Sequence, residues 1–292
     1  MATINIHPVL KVRYENWDQL ESAIAGIESN KEKGDAFEQF CYFYFVYHKD
    51  LYQIDTVWND KVPGKAIPAD VRNKYKFEVK DFGVDGVNVL HSGAIEAWQA
   101  KFRTGRKMPT FAELSTFWSE AENADIRRII ANSKDLPSVS VKKLNHRQTL
   151  VDKLLKLDDD FFELFHQFAL DTDTKISPIK LSPRPHQEKM INAVLKGFEN
   201  HDRGKLIAAC GTGKTLAGMW ATESDSLNAS NVLVLVPSIA LVGQTLNEWV
   251  MNRNKYFDYL CVCSDKTVTG NASDFQDAET EQEDDLDRKS VV

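Results

Sequence analysis

The chain has 292 residues, 42% hydrophobic and 27% charged, enough for about two domains with apolar cores. No apolar run reaches the ~20 residues of a membrane-spanning helix, and the N-terminus shows no basic segment leading into an apolar one, which argues against a membrane protein and a secretory signal. The formal net charge of −7 excludes a uniformly basic nucleic-acid binder, but much of it sits in one acidic run from Asp274 to Asp287, and the remainder, close to neutral, can still carry a local basic groove.

In chain order, the spacing predicts an amphipathic helix over 17–27 and a second over 34–47. The second carries Phe37, Phe40, Cys41, Tyr44 and Phe45 on a broad apolar face. Residues 52–58 alternate as a strand. Residues 84–90 and 95–102 read as two strands joined by a turn at His91-Ser92-Gly93. Helical patterns follow over 111–121 and 150–170. The cysteines Cys41, Cys210, Cys261 and Cys263 form no Cys-x-x-Cys pair, so neither zinc nor a disulfide framework is indicated, and a reducing cytoplasm is the expected compartment.

Within this first half, Asp85 lies in Phe82-Gly-Val-Asp-Gly-Val87, and Gln99-Ala-Lys101 lies on the next strand. Gln99 and Lys101 are two positions apart and leave the same face. Glu38 lies in the preceding helix. Singly, an Asp before a Gly is ordinarily a turn residue and Q-x-K ordinarily a solvent face. Glu78-Val-Lys80 is a competing E-x-K, with Asp60 or Asp70 as its acid. Together, Glu38, Asp85, Gln99 and Lys101 resemble the PD-(D/E)xK nuclease superfamily, in particular its Mrr-like branch, where Gln replaces the middle acid. The resemblance implies that Asp85, Gln99 and Glu38 hold Mg²⁺, that Lys101 orients or activates water, and that Asp81 is an additional acid. Phosphodiester hydrolysis suits such a set, because it needs a hard cation on oxygen ligands and stabilisation of developing charge.

Residues 171–185 are polar and then proline-rich, which predicts a linker over 173–183. Arg184-Pro-His-Gln187 opens a helix beyond it. Lys205–Ala209 reads as a buried strand, Ala208-Ala-Cys-Gly-Thr-Gly-Lys-Thr215 as a phosphate-binding loop, and 216–221 as the helix leaving it. Gly211, Thr212 and Gly213 let backbone N–H groups close on phosphate, Lys214 brings a positive charge, and Thr215 offers a hydroxyl to a metal-bound nucleotide. A second buried strand is predicted over 231–237, then Pro237-Ser238 opening a helix through Gln244, and a further strand over 259–265. Leu241 and Val242 read as core, and His186 as a residue that shapes the turn.

These motifs resemble the first RecA-like domain of a superfamily 2 helicase. The resemblance implies ATP with Mg²⁺ as cofactors, Arg184 and Gln187 toward the adenine, Thr215 on the Mg-ATP, and Pro237, Ser238 and Gln244 on a DNA phosphate. The order of the two halves is similar to the N-terminal part of type ISP restriction enzymes and of type I motor subunits. The expected fold class is therefore α/β: an Mrr-like nuclease domain with a helical extension over 1–172, a linker over 173–183, a partial RecA-like parallel-sheet domain over 184–270, and an acidic, disordered tail over 271–292. No Walker B acid box follows, since Glu281-Gln-Glu-Asp-Asp285 has no strand before it. The expectation is a piece of a longer protein, with methyltransferase and target-recognition domains downstream, that hydrolyses ATP poorly alone. Its expected partner is double-stranded DNA, with no membrane. Two other readings stand beside this one: a translocase whose first half only binds DNA or docks, and a P-loop ATPase with no nucleic-acid substrate.

Overall fold

The structure, a computed structural model, describes residues 5–77, 83–177, 180–227 and 229–262. Asp81, the Glu78/Lys80 pair, Cys263 and the acidic run lie outside the described residues. The chain divides into two units between residues 179 and 180, inside the expected linker. The last part of that linker is anchored in the second unit: the Leu181 N–H donates to Asn252 Oδ1 at 2.9 Å and Lys180 Nζ donates to the Arg253 carbonyl at 2.6 Å.

The first unit is an α/β fold. Its helices α1 (Trp17–Ala25) and α2 (Asn30–Tyr47) precede strand β1 (Ile54–Asn59), and α3 (Ala69–Tyr75) follows it. Strands β2 (Gly86–Leu90) and β3 (Ile95–Lys101) form the expected hairpin. Helix α4 (Phe111–Glu120) leads to β4 (Ile126–Ala131), and α5 (Ser138–Val141) to β5 (His146–Thr149). The unit ends with α6 (Val151–Leu154) and α7 (Asp159–Leu170). The sheet order is β1-β2-β3-β4-β5, antiparallel from β1 to β3 and parallel from β3 to β5.

Several elements differ from the sequence reading. Helix α2 begins at Asn30, because the Ser29 hydroxyl caps it by accepting from the Glu32 N–H. The single helix predicted over 150–170 is two, because Asp158 accepts from the Phe161 N–H at 3.0 Å and starts a new helix. Strands β4 and β5 escaped the pattern, since Arg127, Arg128 and Arg147 break their apolar runs.

Each face of the sheet has its own cover. Ala97, Ile129 and Ala131 meet Leu114 and Phe117 of α4. On the other face Trp98 meets Phe45 of α2, their rings 5.2 Å apart. Helix α2 is buried nearly all round, because Phe43 also packs on Phe161, Phe165 and Phe168 of α7 at 5.1–5.2 Å. Such aromatic pairs add directional stabilisation to area burial. The α2 face of the sheet also holds Glu96, fully buried, with Arg128 at 3.1 Å and Arg147 at 3.2 Å. Burial pushes the Glu96 carboxyl up, but the two guanidiniums outweigh it and hold its pKa below the usual carboxylate range. Gly86 is required by close approach: a Cβ there would overlap the Trp98 indole, its cross-strand partner.

In the second unit α8 (Pro185–Phe198), α9 (Lys214–Thr222) and α10 (Ile239–Asn252) form as the sequence predicts. Leu216, Met219 and Trp220 of α9 are its buried cluster, with Ile191 and Trp249 against it. The runs 205–209 and 231–237, predicted as buried strands, join no sheet among the described residues, and neither does 259–262. Ile207, Leu233 and Leu235 are more than four-fifths exposed. A parallel strand takes its hydrogen bonds from neighbours and its cover from helices on both faces, and these runs receive neither from the described residues. Leu241, read as core, is exposed on α10.

Replacing Glu96 by Gln leaves two buried guanidiniums without a counter-charge and should cost about 3–5 kcal/mol, measured by denaturant unfolding. A second expectation follows from His146, buried against Trp118 with a pKa lowered to about 4 by that burial. The unfolded chain takes up the proton near pH ~6.5, which the folded chain refuses until near its lowered value, so stability should fall between those pH values. The melting temperature should drop from pH ~7.5 to ~5, and His146→Gln should flatten that slope.

Candidate functional site

Strand β2 enters the sheet where β3 leaves it, so Asp85, one residue before β2, stands beside the end of β3 that bears Gln99 and Lys101. Asp85 is held from three directions, twice by backbone and once by a side chain. Its N–H donates to the Trp98 carbonyl at 3.0 Å, its carbonyl accepts from Asn59 Nδ2 at 2.7 Å, and its Oδ2 accepts from the Ala100 N–H at 2.7 Å. The last contact ties the carboxylate directly to the residue between Gln99 and Lys101.

Glu38 reaches the same end from α2. Phe37 meets Phe102, just past β3, at 5.6 Å, so the early turns of α2 lie level with Lys101. Burial pushes the thiol pKa of Cys41, one turn after Glu38, well up, and the charges of Glu38 and Asp85 act in the same direction.

Gln99 is almost fully buried. Its Oε1 has no hydrogen-bond partner, while its Nε2 lies beside Gly83 and the α4 backbone at Phe117. Lys101 is half-buried at the end of the strand. Among the described residues no three His, Cys, Asp or Glu side chains gather as a metal group. Glu38 and Asp85 carry carboxylates and Gln99 a carboxamide, so all three residues offer oxygen donors. Asn59, which holds the Asp85 carbonyl, carried no sequence signal beyond a polar residue closing a strand.

The second unit carries the phosphate-loop residues. Gly211 and Gly213 have φ of +76° and +71°, a region open chiefly to glycine. A Cβ on Gly213 would also collide with the Gln187 carboxamide. The Lys214 ammonium donates to the carbonyls of Ala208 and Ala209 at 3.0 and 2.8 Å, and the Thr212 hydroxyl donates to Ala209 at 2.8 Å. Helix α9 starts at Lys214 with no side chain capping it. Thr215 gives its carbonyl to the Trp249 indole N–H of α10 at 3.0 Å.

Helix α8 braces this loop. Gln187 is buried, accepts from the Arg184 N–H at 2.9 Å and donates to the Gly213 carbonyl at 3.3 Å. Both ends of its amide are therefore engaged inside the protein, whereas an adenine reader presents them outward. His186 lies 3.2 Å from the Thr212 carbonyl, so its turn-shaping part extends to the loop itself. Ser238 caps α10 by accepting from the Leu241 N–H at 3.3 Å, Pro237 is exposed beside it, and Gln244 is exposed and paired to Glu248.

Residues 180–289 match the family model described as type III restriction enzyme, res subunit. No curated protein gives a significant match. Among solved structures, the chain is similar to the ATP-dependent type ISP restriction-modification enzyme LlaBIII bound to DNA, with 23% identity and a TM-score of 0.61 over 82% of this chain and 15% of that one. This chain therefore spans about one-seventh of that enzyme's length. The two findings bear out the α/β class and the resemblance to a superfamily 2 restriction-enzyme motor fragment.

Proposed function

We propose that the first unit is a Mg²⁺-dependent endonuclease acting on double-stranded DNA, and that the second is the ATP-binding part of a superfamily 2 motor that moves DNA for it. The observation that carries the nuclease reading is the buried Gln99 Oε1 without a hydrogen bond. Leaving such an acceptor unmade costs about 1–3 kcal/mol, which a fold keeps where a ligand uses the atom. Glu38, Asp85 and Gln99 offer only oxygen donors, which suits Mg²⁺ and excludes soft metals. Once bound there, the cation would polarise the phosphate and lower the pKa of an attacking water. The Asp85 carboxylate, held by the Ala100 N–H, keeps a fixed position relative to Lys101. The Lys101 ammonium supplies positive charge for the phosphate oxygens at the strand end.

In the second unit, Gly211, Thr212, Gly213 and Lys214 would hold the ATP phosphates, and Thr215 its Mg²⁺. Lys214 now donates to two loop carbonyls and would exchange them for phosphate oxygens. Arg184 and Gln187 serve the nucleotide by shaping the loop from the start of α8. Pro237, Ser238 and Gln244 present the exposed N-terminal part of α10 to a DNA phosphate. The match of 180–289 to a restriction-enzyme family and the likeness to a DNA-bound enzyme support this reading. Methyltransferase and target-recognition functions belong, in this proposal, to other parts of the parent protein.

Asp85→Ala and Lys101→Ala should each lower Mg²⁺-dependent nicking of supercoiled plasmid by about a hundredfold or more. Undiminished nicking by both variants would leave the first unit a DNA-binding or docking module. Gly213→Ala should weaken binding of a fluorescent ATP analogue by about tenfold or more, since loop and brace must both move. Gly218→Ala, on α9 with open space around it, is the control and should leave affinity within about twofold. Equal effects from both substitutions would show that the loop is not the binding element.

A further inference from the structure

We infer that Asn132 is a positioning residue for Lys101, extending the sheet by a side chain at the point where β4 stops; this rests on the nuclease reading above. In the parallel ladder Lys101 pairs with Ala131, the last residue of β4. Beyond it, the strand end that carries Lys101 has no further β4 backbone in the ladder to hold it. Asn132 takes over. Its own N–H donates to the Lys101 carbonyl at 3.4 Å. Its Oδ1 accepts from the Arg103 N–H at 2.7 Å, and its Nδ2 donates to the Arg103 carbonyl at 2.9 Å.

A carboxamide that accepts from and donates to one residue's backbone imitates the peptide group of a neighbouring strand. Asn132 therefore continues the ladder two residues past Lys101 and stops the strand end from fraying. The amide is itself fixed. It is fully buried, and its Nδ2 also donates to Glu21 Oε1 of α1 at 2.8 Å. Arg106 holds Glu21 in turn, through Nε at 2.8 Å and Nη2 at 2.6 Å, and also pairs with Asp18. Arg103 is steered from the other side by an ion pair to Glu113 of α4. None of these residues lies in the proposed metal set. Their common effect is on the backbone that aims Lys101, where small displacements of a reacting group cost much rate.

The test is steady-state plasmid nicking by Asn132→Ala and Asn132→Asp, with Lys101→Ala beside them, together with Mn²⁺ calorimetry and thermal melting. Asn132→Asp keeps the acceptor for the Arg103 N–H but sets a carboxylate against the Arg103 carbonyl and Glu21, so Glu21→Gln, which leaves both Arg103 contacts in place and frees only the far side of the amide, is the milder variant if the Asn132 variants fail to fold. The expected result is a kcat lowered by about tenfold or more in the Asn132 variants, with KM for DNA and Mn²⁺ affinity within about twofold of the parent, and Glu21→Gln lowering kcat less than Asn132→Ala; a Glu21→Gln kcat equal to the parent's with both Asn132 variants unfolded overturns the proposal. If kcat is unchanged, or if kcat and Mn²⁺ affinity fall together, Asn132 supports the fold and not the aim of Lys101. If Lys101→Ala itself nicks normally, the nuclease reading fails first, and the two failures are told apart.

Discussion

Glu96 is shared by two arginines and an asparagine, and these four residues come from four consecutive strands. Asn88 of β2 donates to its Oε1 at 2.7 Å, while Arg128 of β4 and Arg147 of β5 share its Oε2. Asn88 passes the chain on by accepting from the Trp98 indole N–H at 3.2 Å, and Arg128 also donates to the Thr149 hydroxyl at 3.1 Å. The Arg128 guanidinium lies 4.7 Å from the Tyr52 ring. Taking these charges out of water is costly, and such a cluster adds little stability over an apolar core of the same volume. What it supplies is register. If β3 slipped by one residue, Ala97 or Ile95 would face the arginines and every partner of Glu96 would be lost.

The register set on that face decides the opposite one, because side chains alternate along a strand. With Glu96 and Trp98 fixed under α2, Ile95, Ala97, Gln99 and Lys101 must face the α4 side. The candidate site is thus aligned by groups that it does not touch. The same logic explains Gly86. It stands opposite Trp98, where the indole leaves no room for a Cβ, and so permits Asp85 to turn into the end of the sheet. Gly83, at φ +110° and close to both Gln99 and the α4 backbone, does the corresponding work on the other side of Asp85.

How much of this the sequence discloses depends on the range of the interaction. The phosphate loop is legible because its requirements are local: two glycines with positive φ, a lysine and a hydroxyl in one short run. Glu38, Asp85, Gln99 and Lys101 stand out only as a spacing over one helix and one hairpin, of which the hairpin part is held by the bond from the Ala100 N–H to Asp85. Strands β4 and β5 are hidden because Arg128 and Arg147 look like surface residues until Glu96, some thirty to fifty positions earlier, is placed beside them. Asn59 and Asn132 are hidden for the same reason, as single polar residues at strand ends whose partners lie far off in sequence. The runs 205–209 and 231–237 err the other way. Their apolar, β-branched pattern reports what a buried strand needs, not whether neighbours supply it, and Ile207 at 91% exposure shows the difference.

The two faces of the first unit's sheet therefore hold polar groups in opposite conditions. On the α2 face, the buried Glu96 carboxylate meets two guanidiniums and a carboxamide, and its charge is more than balanced. At the end of β3, by contrast, the buried Gln99 Oε1 has no donor. A buried polar network specifies a fold when it is complete and weakens it when it is not. The fold could have satisfied Gln99 with one hydroxyl or amide on α4, as it satisfied Asn88 with Trp98. It brings the Gly83 backbone against the Gln99 Nε2 instead, and the Oε1 stays without a donor. On the proposed nuclease reading, that unsatisfied oxygen, on the strand that bears Lys101 and aligned by the complete network across the sheet, would be completed by a hard cation.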